Sequence, residues 1–370
     1  EATERFERGD DMHVRGPAGS GKTFVALHLL LEAMRQDKTL TVLIAARNEA
    51  LLFFIAKWMC SKIPALERSR WIRRVAALHA PFDAPPHGFV LRKGVLKPSP
   101  WTSADFDLII VDEAHHIFAD AAARATVEQY LSGGARRVFL SDISQSLGDE
   151  VKLDAREVCL TEVVRCTERI VAASALFQIG ENKSQTMSQH KTVGPPLKTF
   201  VFDDGRIIKD DDDDQARLDL VPKYAAETAK AIESVRADFP KLGLHNRLAL
   251  IVPTTAFAEA LRAALLPLLG EGFDLVGATR ASSLIVAGET HEGKEWIVCD
   301  TIENFDGLER LIVVCVGLDS PVSDDQGATR SALYRAMTRA HLLAVIVNVS
   351  VKGGWLEFLG HITLDEAGFN

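Results

Sequence analysis

The residues with the clearest chemical meaning form a glycine-rich loop, Gly16-Pro17-Ala18-Gly19-Ser20-Gly21-Lys22-Thr23. An apolar run at residues 12–14 precedes the loop, and apolar residues at helical spacing follow it. The glycines let successive backbone N–H groups point inward, and the following helix adds the positive end of its dipole. In such a loop Lys22 reaches the β- and γ-phosphates and the Thr23 hydroxyl binds Mg²⁺. The pattern predicts phosphate binding by Gly16, Gly19, Ser20, Gly21, Lys22 and Thr23.

Two adjacent carboxylates, Asp112 and Glu113, follow the apolar run at residues 106–111. Beside a phosphate loop, Asp112 is expected to hold Mg²⁺, directly or through water. Glu113 is expected to polarise the water that attacks the γ-phosphate. His115 and His116 follow the pair, and each either relays between the nucleotide site and the next motif or faces solvent, which we favour for His116. The pair predicts hydrolysis of a nucleoside triphosphate.

These side chains need a parallel sheet to bring them together. Nearly continuous apolar runs predict buried strands, and helical patterns separate them, as in an α/β fold with parallel sheets. Predicted strands lie at residues 39–46, 106–111, 137–140, 197–202, 248–252, 296–301, 311–316 and 342–349. We predict two domains, 1–155 and 156–370, with a small proline-rich insertion near 64–104. The aspartates at 210–214 are expected to form a solvated loop, with a metal site as the alternative.

Composition excludes several classes of protein. The chain has 370 residues, 47% hydrophobic and 25% charged, with a net charge of -9, so it lacks the overall positive field of many nucleic-acid-binding proteins. Five scattered cysteines indicate reduced thiols and an intracellular location, either nucleus or cytoplasm. No apolar run is long enough to span a membrane. Because the chain begins at Glu1, we expect it to be part of a longer protein.

Later motifs resemble those of superfamily 1 helicases and NTPases of the UvrD/Rep type, which have tandem RecA-like domains. Residues 141–145 are similar to the family's Gly-Asp-x-x-Gln, residues 160–167 to Leu-x-x-Asn-Tyr-Arg-Ser, and residues 333–340 to its last motif. The resemblance covers roughly residues 12–350. It implies that Gln145 senses the γ-phosphate and that Arg165 and Arg339 reach it as arginine fingers. For each arginine the alternative is a structural ion pair.

Residues 301–309 are similar to the family's Thr-hydrophobic-His-x-x-Lys-Gly-Leu-Glu. This implies nucleotide contacts by Gly307 and, at the ribose, by Glu309. The family's His and Lys are Glu303 and Asp306 here, which adds negative charge where strand contacts are expected.

Three residues are candidates for binding a nucleic-acid strand. Arg47 and Asn48 lie in a segment that resembles the one contacting single-stranded DNA in these helicases. Trp71 among arginines suits base stacking, or else packs inward on a basic helix.

The resemblance therefore implies Mg²⁺-dependent ATP hydrolysis by a helicase-like motor core. ATP and Mg²⁺ are the implied cofactors, and single-stranded DNA or RNA is a candidate partner. The alternative is an ATP-switched regulatory or interaction module of a larger protein that does not unwind a strand. The glutamine expected upstream of the phosphate loop is absent from residues 1–11, so base specificity stays open.

Overall fold

The structure is a computed structural model of the chain. It describes residues 10–131, 134–142, 153–163, 166–177, 187–188, 192–204, 214–283, 293–320 and 327–357. Within these ranges the chain forms two mainly parallel sheets with helices packed against them, which confirms the predicted α/β class. Among the helices in these ranges, none combines the length and apolar character needed to cross a bilayer.

The first sheet carries the glycine-rich loop. Its described strands are β1 (Met12–Gly16), β2 (Val42–Ala46), β3 (Val75–His79), β4 (His87–Arg92), β5 (Val95–Pro100), β6 (Leu108–Val111), β7 (Arg136–Asp142) and β8 (Arg156–Cys159). Their order is β5-β4-β3-β2-β6-β7-β1-β8, and all pairs are parallel except those made by β4 and β5. Every residue of β2 and β6 is buried, as expected of parallel strands covered on both faces. The register sets Gly16 beside Asp142, so the loop and the carboxylates share one edge of the sheet.

Helices pack around this sheet. Within the described residues they are α1 (Lys22–Gln36), α2 (Glu49–Ser61), α3 (Arg68–Ile72), α4 (Ala114–Ile117) and α5 (Ala121–Leu131). The helix α2 begins at a side-chain cap, in which Asn48 Oδ1 accepts a hydrogen bond from the Leu51 N–H at 2.8 Å. This cap orients the Asn48 side chain at the end of β2.

The second sheet is parallel throughout its described pairs. Its strands are β11 (Lys198–Phe202), β12 (Leu248–Val252), β13 (Phe273–Val276), β14 (Glu295–Thr301), β15 (Arg310–Val316) and β16 (Ala340–Val349), in the order β11-β16-β15-β12-β14-β13. Its helices are α6 (Glu168–Ala175), α7 (Asp214–Asp219), α8 (Val221–Asp238), α9 (Thr255–Leu269), α10 (Ala278–Ser283), α11 (Ile302–Phe305) and α12 (Gly327–Met337). The short strands β9 (Glu162–Val163) and β10 (Met187–Ser188) pair only with each other among the described residues. The aspartates at 210–213 lie outside the described residues.

The segment predicted to be an insertion, residues 64–104, instead builds part of the first sheet. Its strand β3 pairs in parallel with β2, and the first four residues of β3 are buried. Pro64 and Pro81 flank this strand and do not interrupt it. The first sheet also continues past the predicted boundary at residue 155, because β8 pairs with β1.

The first half of the chain, built on the first sheet, and the second half, built on the second sheet, share an apolar core. Leu51 and Phe53 of α2 belong to the same buried cluster as Phe305 and Leu308 of the second half. Between the last two, Gly307 has a φ of 76°, and a Cβ there would lie 2.4 Å from a methyl carbon of Leu51. Only glycine permits this approach, so the segment after α11 sits directly on α2.

A charge placed in β3 tests its position in the sheet. Ala77 is fully buried, so Ala77→Asp leaves a carboxylate without solvent, and we expect a loss of more than about 3 kcal/mol in the free energy of unfolding. Leu66 in the same segment is 99% exposed, and Leu66→Asp should change stability by less than about 0.5 kcal/mol. Equal stabilities of the two variants in urea unfolding would contradict the assignment of β3.

Candidate functional site

The glycine-rich loop connects β1 to α1 and has the backbone shape of a phosphate cradle. Gly19 and Gly21 have φ values of 81° and 88°, which glycine adopts without strain. At Gly16 a Cβ would lie 2.7 Å from the Leu160 carbonyl oxygen, so that position also excludes a larger residue. The loop is therefore closely packed where β1 ends.

Lys22 is buried, and its amine lies against its own loop. The amine donates hydrogen bonds to the carbonyl oxygens of Gly16 at 2.9 Å and Pro17 at 3.0 Å, and it lies 3.8 Å from Asp142 Oδ2. The cavity beside it has a volume of only about 30 Å³, near that of one water molecule. A phosphate group would enter only if Lys22 released these carbonyls and turned outward.

Thr23 and Asp112 provide the oxygen atoms at the bottom of this cavity. The Thr23 hydroxyl donates a hydrogen bond to Asp112 Oδ2 at 3.0 Å, which joins the start of α1 to the end of β6. Burial, together with the neighbouring Glu113 charge, raises the pKa of Asp112 to about 6. A hydroxyl and a buried carboxylate are hard oxygen donors, so this pair fits Mg²⁺.

Glu113 is a buried carboxylate with an unusual backbone conformation and an oxygen atom that could contact water. Its φ of 53° lies in the left-handed region, which residues other than glycine rarely adopt. Among the described residues its Oε2 atom has no hydrogen-bond partner. Burial alone would raise the pKa of this carboxyl, but the neighbouring His115, followed by Arg339, His116 and Lys22, lowers it below its usual range. Glu113 is therefore ionised at neutral pH.

His115 lies beside Glu113 and contacts Asp142. Its Nε2 is 3.5 Å from Glu113 Oε2, and its Nδ1 accepts a hydrogen bond from the Asp142 backbone N–H at 3.3 Å. Burial lowers the pKa of His115 to about 4, so the ring is neutral at pH 7. His116, predicted to face solvent, is instead partly buried, and its ring centroid is 4.2 Å from that of His115.

Glu113, His115 and His116 together also resemble a transition-metal site, because their ligand atoms lie within 4.8 Å of one another. Their hydrogen bonding argues against it. Since Nδ1 of His115 accepts from Asp142, the proton of the neutral ring is on Nε2, the atom that faces Glu113. A metal-binding histidine has the opposite arrangement, with the remote nitrogen donating. The arrangement fits a neutral imidazole packed beside Glu113 better than it fits a metal.

The second half contributes Gly307 and Arg339 to the same cavity. Arg339 is buried in the turn after α12, where its Nε donates a hydrogen bond to the Arg335 carbonyl oxygen at 3.2 Å. Its charge is close enough to lower the pKa of Glu113. Lys22, Thr23, Asp112, Glu113 and Arg339, which were predicted from separate motifs, therefore surround one space.

Three further residues line this cavity that were given no role from the sequence, Ala18, Phe24 and Asp142. Phe24 is 44% exposed and makes an edge-on contact with Trp58, with ring centroids 5.7 Å apart. An exposed aromatic residue directly after a phosphate loop was the signal that could have identified it. Asp142 carried a similar signal, as a carboxylate at the end of a buried strand.

Other predicted site residues are not brought into the cavity or are not described. Gln145 and Arg165 lie outside the described residues, so their roles stay predictions. Glu309, predicted at the ribose, accepts a contact from His341 Nε2 at 2.5 Å and does not line the cavity.

The candidate strand-binding residues lie in two different places. Arg47 and Asn48, at the end of β2, contact residues of the second half. Trp71 lies near the start of β3, at the opposite end of the parallel strands, because Arg74 just before β3 bonds to the start of β2. The Arg74 guanidinium covers the Trp71 ring at 4.9 Å, and the indole packs on the core. Trp71 therefore packs inward, which is the alternative that the sequence left open, and it lies at the other end of the strands from Arg47 and Asn48.

Comparisons with known proteins agree with this fold. Residues 12–150, less than half of the chain, match the family model "Schlafen group 3, DNA/RNA helicase domain". The chain is similar in structure to "DEAD-box helicase Mss116 bound to ssRNA and UDP-BeF", with a TM-score of 0.51 and 12% sequence identity. The match covers 92% of this chain and 66% of that one. No curated protein matches this chain in sequence.

Both comparisons involve helicases: the family model matches residues 12–150, and the structural match extends over both halves of the chain. At 12% identity the structural likeness concerns the fold alone, which is similar to the tandem RecA-like domains of the DEAD-box helicase. The UvrD/Rep-like subtype predicted from the motifs is not confirmed, because DEAD-box helicases belong to superfamily 2.

The close packing at Gly16 can be tested by adding one methyl group. Because the Cβ of Gly16→Ala would approach a backbone oxygen, we expect the free energy of unfolding to fall by about 1–3 kcal/mol. The exposed Gly272 is a matched control, because a Cβ there meets nothing within 4 Å. Gly272→Ala should change stability by less than about 0.5 kcal/mol in urea unfolding. A Gly16→Ala protein as stable as this control would mean that the loop is loosely packed.

Proposed function

We propose that the chain is a Mg²⁺-dependent ATPase, with a nucleotide site in the cleft between its two halves. The observation that carries this proposal is the shared cavity. Lys22, Thr23, Asp112 and Glu113 of the first half face Gly307 and Arg339 of the second half across it. Phosphoryl transfer depends on positioning and charge stabilisation, and these residue types provide both.

Binding of the triphosphate begins with Lys22. Its amine exchanges the carbonyl oxygens of Gly16 and Pro17 for phosphate oxygens, next to the N-terminus of α1, where the helix dipole favours an anion. Thr23 and Asp112 would hold Mg²⁺, which neutralises charge on the β- and γ-phosphates when bound. The existing hydrogen bond between these two side chains keeps their oxygens 3.0 Å apart and facing the cavity.

Hydrolysis requires a base and a cation on the far side of the phosphate. The ionised Glu113 carboxylate, with one oxygen free of hydrogen bonds among the described residues, orients the attacking water and accepts its proton. Arg339 stabilises the charge that develops on the transferred group, since its guanidinium is buried and stays charged. Arg165 is the second finger in this proposal, by resemblance only.

Phe24 is the candidate platform for the base. Its exposed ring beside the loop offers an apolar face for stacking, and Trp58 supports it from the edge. Stacking accepts any base, so ATP is proposed here from the resemblance to the helicase family and not from a reading of the base edge.

The superfamily 1 subtype is also a proposal. It is supported by the order of the motifs, in particular by Gly307 and Arg339 facing the phosphate loop. In this reading the chain is a motor core that acts on single-stranded DNA or RNA. The names of the matched family and of the similar structure, a DNA/RNA helicase domain and a helicase bound to ssRNA, support a strand as partner.

A second candidate function is an ATP-switched module that processes no strand. One observation favours it: Arg47 and Asn48, the expected strand contacts, already have partners in the second half. A phosphate backbone would have to displace these partners.

The role of Glu113 is tested by Glu113→Gln, which keeps the shape and removes the base. We expect turnover of ATP to fall at least about 100-fold, because general-base catalysis contributes that much. Binding of a fluorescent ATP analogue should be retained, since Lys22 and the loop are unchanged. Glu128→Gln, an exposed glutamate paired with Arg124 on α5, is the control and should hydrolyse ATP normally. Wild-type turnover by Glu113→Gln would remove Glu113 from the mechanism.

Steady-state ATPase with and without poly(dT) or poly(U) separates the two candidate functions. Since Arg47 is already paired with a carboxylate, we expect either polymer to change turnover by less than about twofold, a result that would assign the ATP-switched module and exclude the strand-driven motor. A stimulation of about tenfold or more would be ordinary coupling between two sites and would assign a strand-driven motor. Both measurements need the same salt concentration, because backbone contacts depend strongly on it.

A further inference from the structure

Asp306 is a buried carboxylate that contacts both halves of the protein. It is 1% exposed, and it precedes Gly307 at the junction between α11 and β15. Its Oδ2 accepts a hydrogen bond from Arg47 Nη1 at 2.9 Å, and its Oδ1 accepts one from Arg335 Nε at 3.0 Å. A second N–H of Arg335 also contacts Oδ2. One carboxylate thus joins a guanidinium at the end of β2 to a guanidinium on α12.

Asn48 makes a second connection at the same place. While its oxygen caps α2, its Nδ2 donates to the carbonyl oxygens of Glu303 at 2.9 Å and Asp306 at 3.0 Å. The oxygen and the nitrogen of the Asn48 side-chain amide both make hydrogen bonds, which fixes the orientation of the side chain. Together with the contact of Gly307 on Leu51, these bonds seat residues 303–307 on the start of α2.

The connection continues to the arginine of the active site. Arg335 lies one helical turn before Arg339, and the Arg335 carbonyl accepts the hydrogen bond from Arg339 Nε. The Arg339 carbonyl in turn accepts a hydrogen bond from the Arg310 N–H at 3.0 Å. Holding the Arg335 side chain therefore holds the turn that carries Arg339.

We propose that Asp306 is a positioning residue, which ties Arg47 to Arg335 and so delivers Arg339 to the nucleotide cleft without any external anion. The proposal rests on the proposed ATPase for its turnover measurement. The contact that Asp306 makes between the halves does not depend on ATP hydrolysis, and it is tested by a distance measurement. Guanidinium groups bind carboxylate and phosphate with the same paired geometry, so Asp306 provides internally what a strand phosphate would otherwise supply.

A cavity of about 430 Å³ lies next to this contact, lined in part by Arg47, Glu303 and Arg335. It gives small anions a path to the two guanidinium groups. Removal of the Asp306 side chain should therefore leave a place that an added carboxylate can fill.

The turnover measurement compares Asp306→Asn, Asp306→Glu and Asp306→Ala in the full chain. We expect Asp306→Asn to lower kcat about tenfold or more through misplacement of Arg339, with the Kd of a fluorescent ATP analogue changed less than about twofold. Asp306→Glu keeps the charge and should recover part of the loss. Formate, but not chloride at equal ionic strength, should raise the kcat of Asp306→Ala, which a merely structural role would not produce. Unchanged kcat in Asp306→Asn, or a loss confined to nucleotide affinity, would overturn the proposal.

The second measurement does not require hydrolysis. Fluorescent dyes on Leu66→Cys and Leu268→Cys, both exposed positions in different halves, report the distance between the halves once exposed Cys159 is changed to serine. Without nucleotide or nucleic acid, Asp306→Asn should give a longer and broader distance distribution than the parent. Asp11→Asn is the matched control, because Asp11 bonds Arg137 within the first half only, and it should leave the distance unchanged. An unaltered distance in Asp306→Asn contradicts the tie between the halves, even if the protein hydrolyses no ATP.

Discussion

The balance of charge at one edge of the first sheet determines how the two halves depend on each other. Asp112, Glu113 and Asp142 are buried carboxylates where neighbouring strands β6 and β7 end. Such groups are strongly destabilising unless positive charge or hydrogen bonds compensate them. Lys22 supplies one cation from the phosphate loop, and Arg339 supplies another from the second half. The buried carboxylates at this edge therefore have both of these cations beside them only when the two halves are in contact.

The same balance governs the approach of a nucleotide. The carboxylates already face Lys22, whose hydrogen bonds to two loop carbonyls keep it away from the empty part of the cavity. Burial, followed by the neighbouring Glu113 charge, raises the pKa of Asp112. In the proposed function a triphosphate adds further negative charge beside Asp112, which a bound cation would balance. The chemistry of the side chains thus argues for a divalent metal, in agreement with the Thr23 and Asp112 oxygens.

Features that depend on neighbours in sequence were predicted well, and features that depend on distant partners were not. The strand Leu248–Val252 was predicted at its observed bounds and the strand Arg310–Val316 to within one residue, because their apolar patterns are continuous. The strand β3 was missed because the segment around it is rich in proline, and β8 was missed because most of its residues are exposed. Both are strands only because β2 and β1 lie beside them.

The site residues likewise fall into those that a local sequence pattern identifies and those whose partners are distant along the chain. The phosphate loop and the pair Asp112 and Glu113 are local patterns whose chemistry can be identified from the sequence. The partners of Arg47 could not be identified, because Asp306 lies 259 residues away along the chain. The role of Trp71 could not be predicted either, because an aromatic residue among arginines does not show at which end of the parallel strands it lies.

Asp306 illustrates why departures from a family pattern need to be interpreted together. Considered alone, an aspartate where the resemblance expects lysine would bury an unpaired carboxylate, at a loss of about 3–5 kcal/mol. In this chain Arg47 and Arg335 surround it, so a lysine at 306 would instead face two like charges. Aspartate in place of lysine at position 306 reverses the sign of the charge at this position of the segment 303–307. A polyanion approaching Arg47 therefore meets a guanidinium that is already neutralised, and the surface attracts it less than its arginines alone suggest.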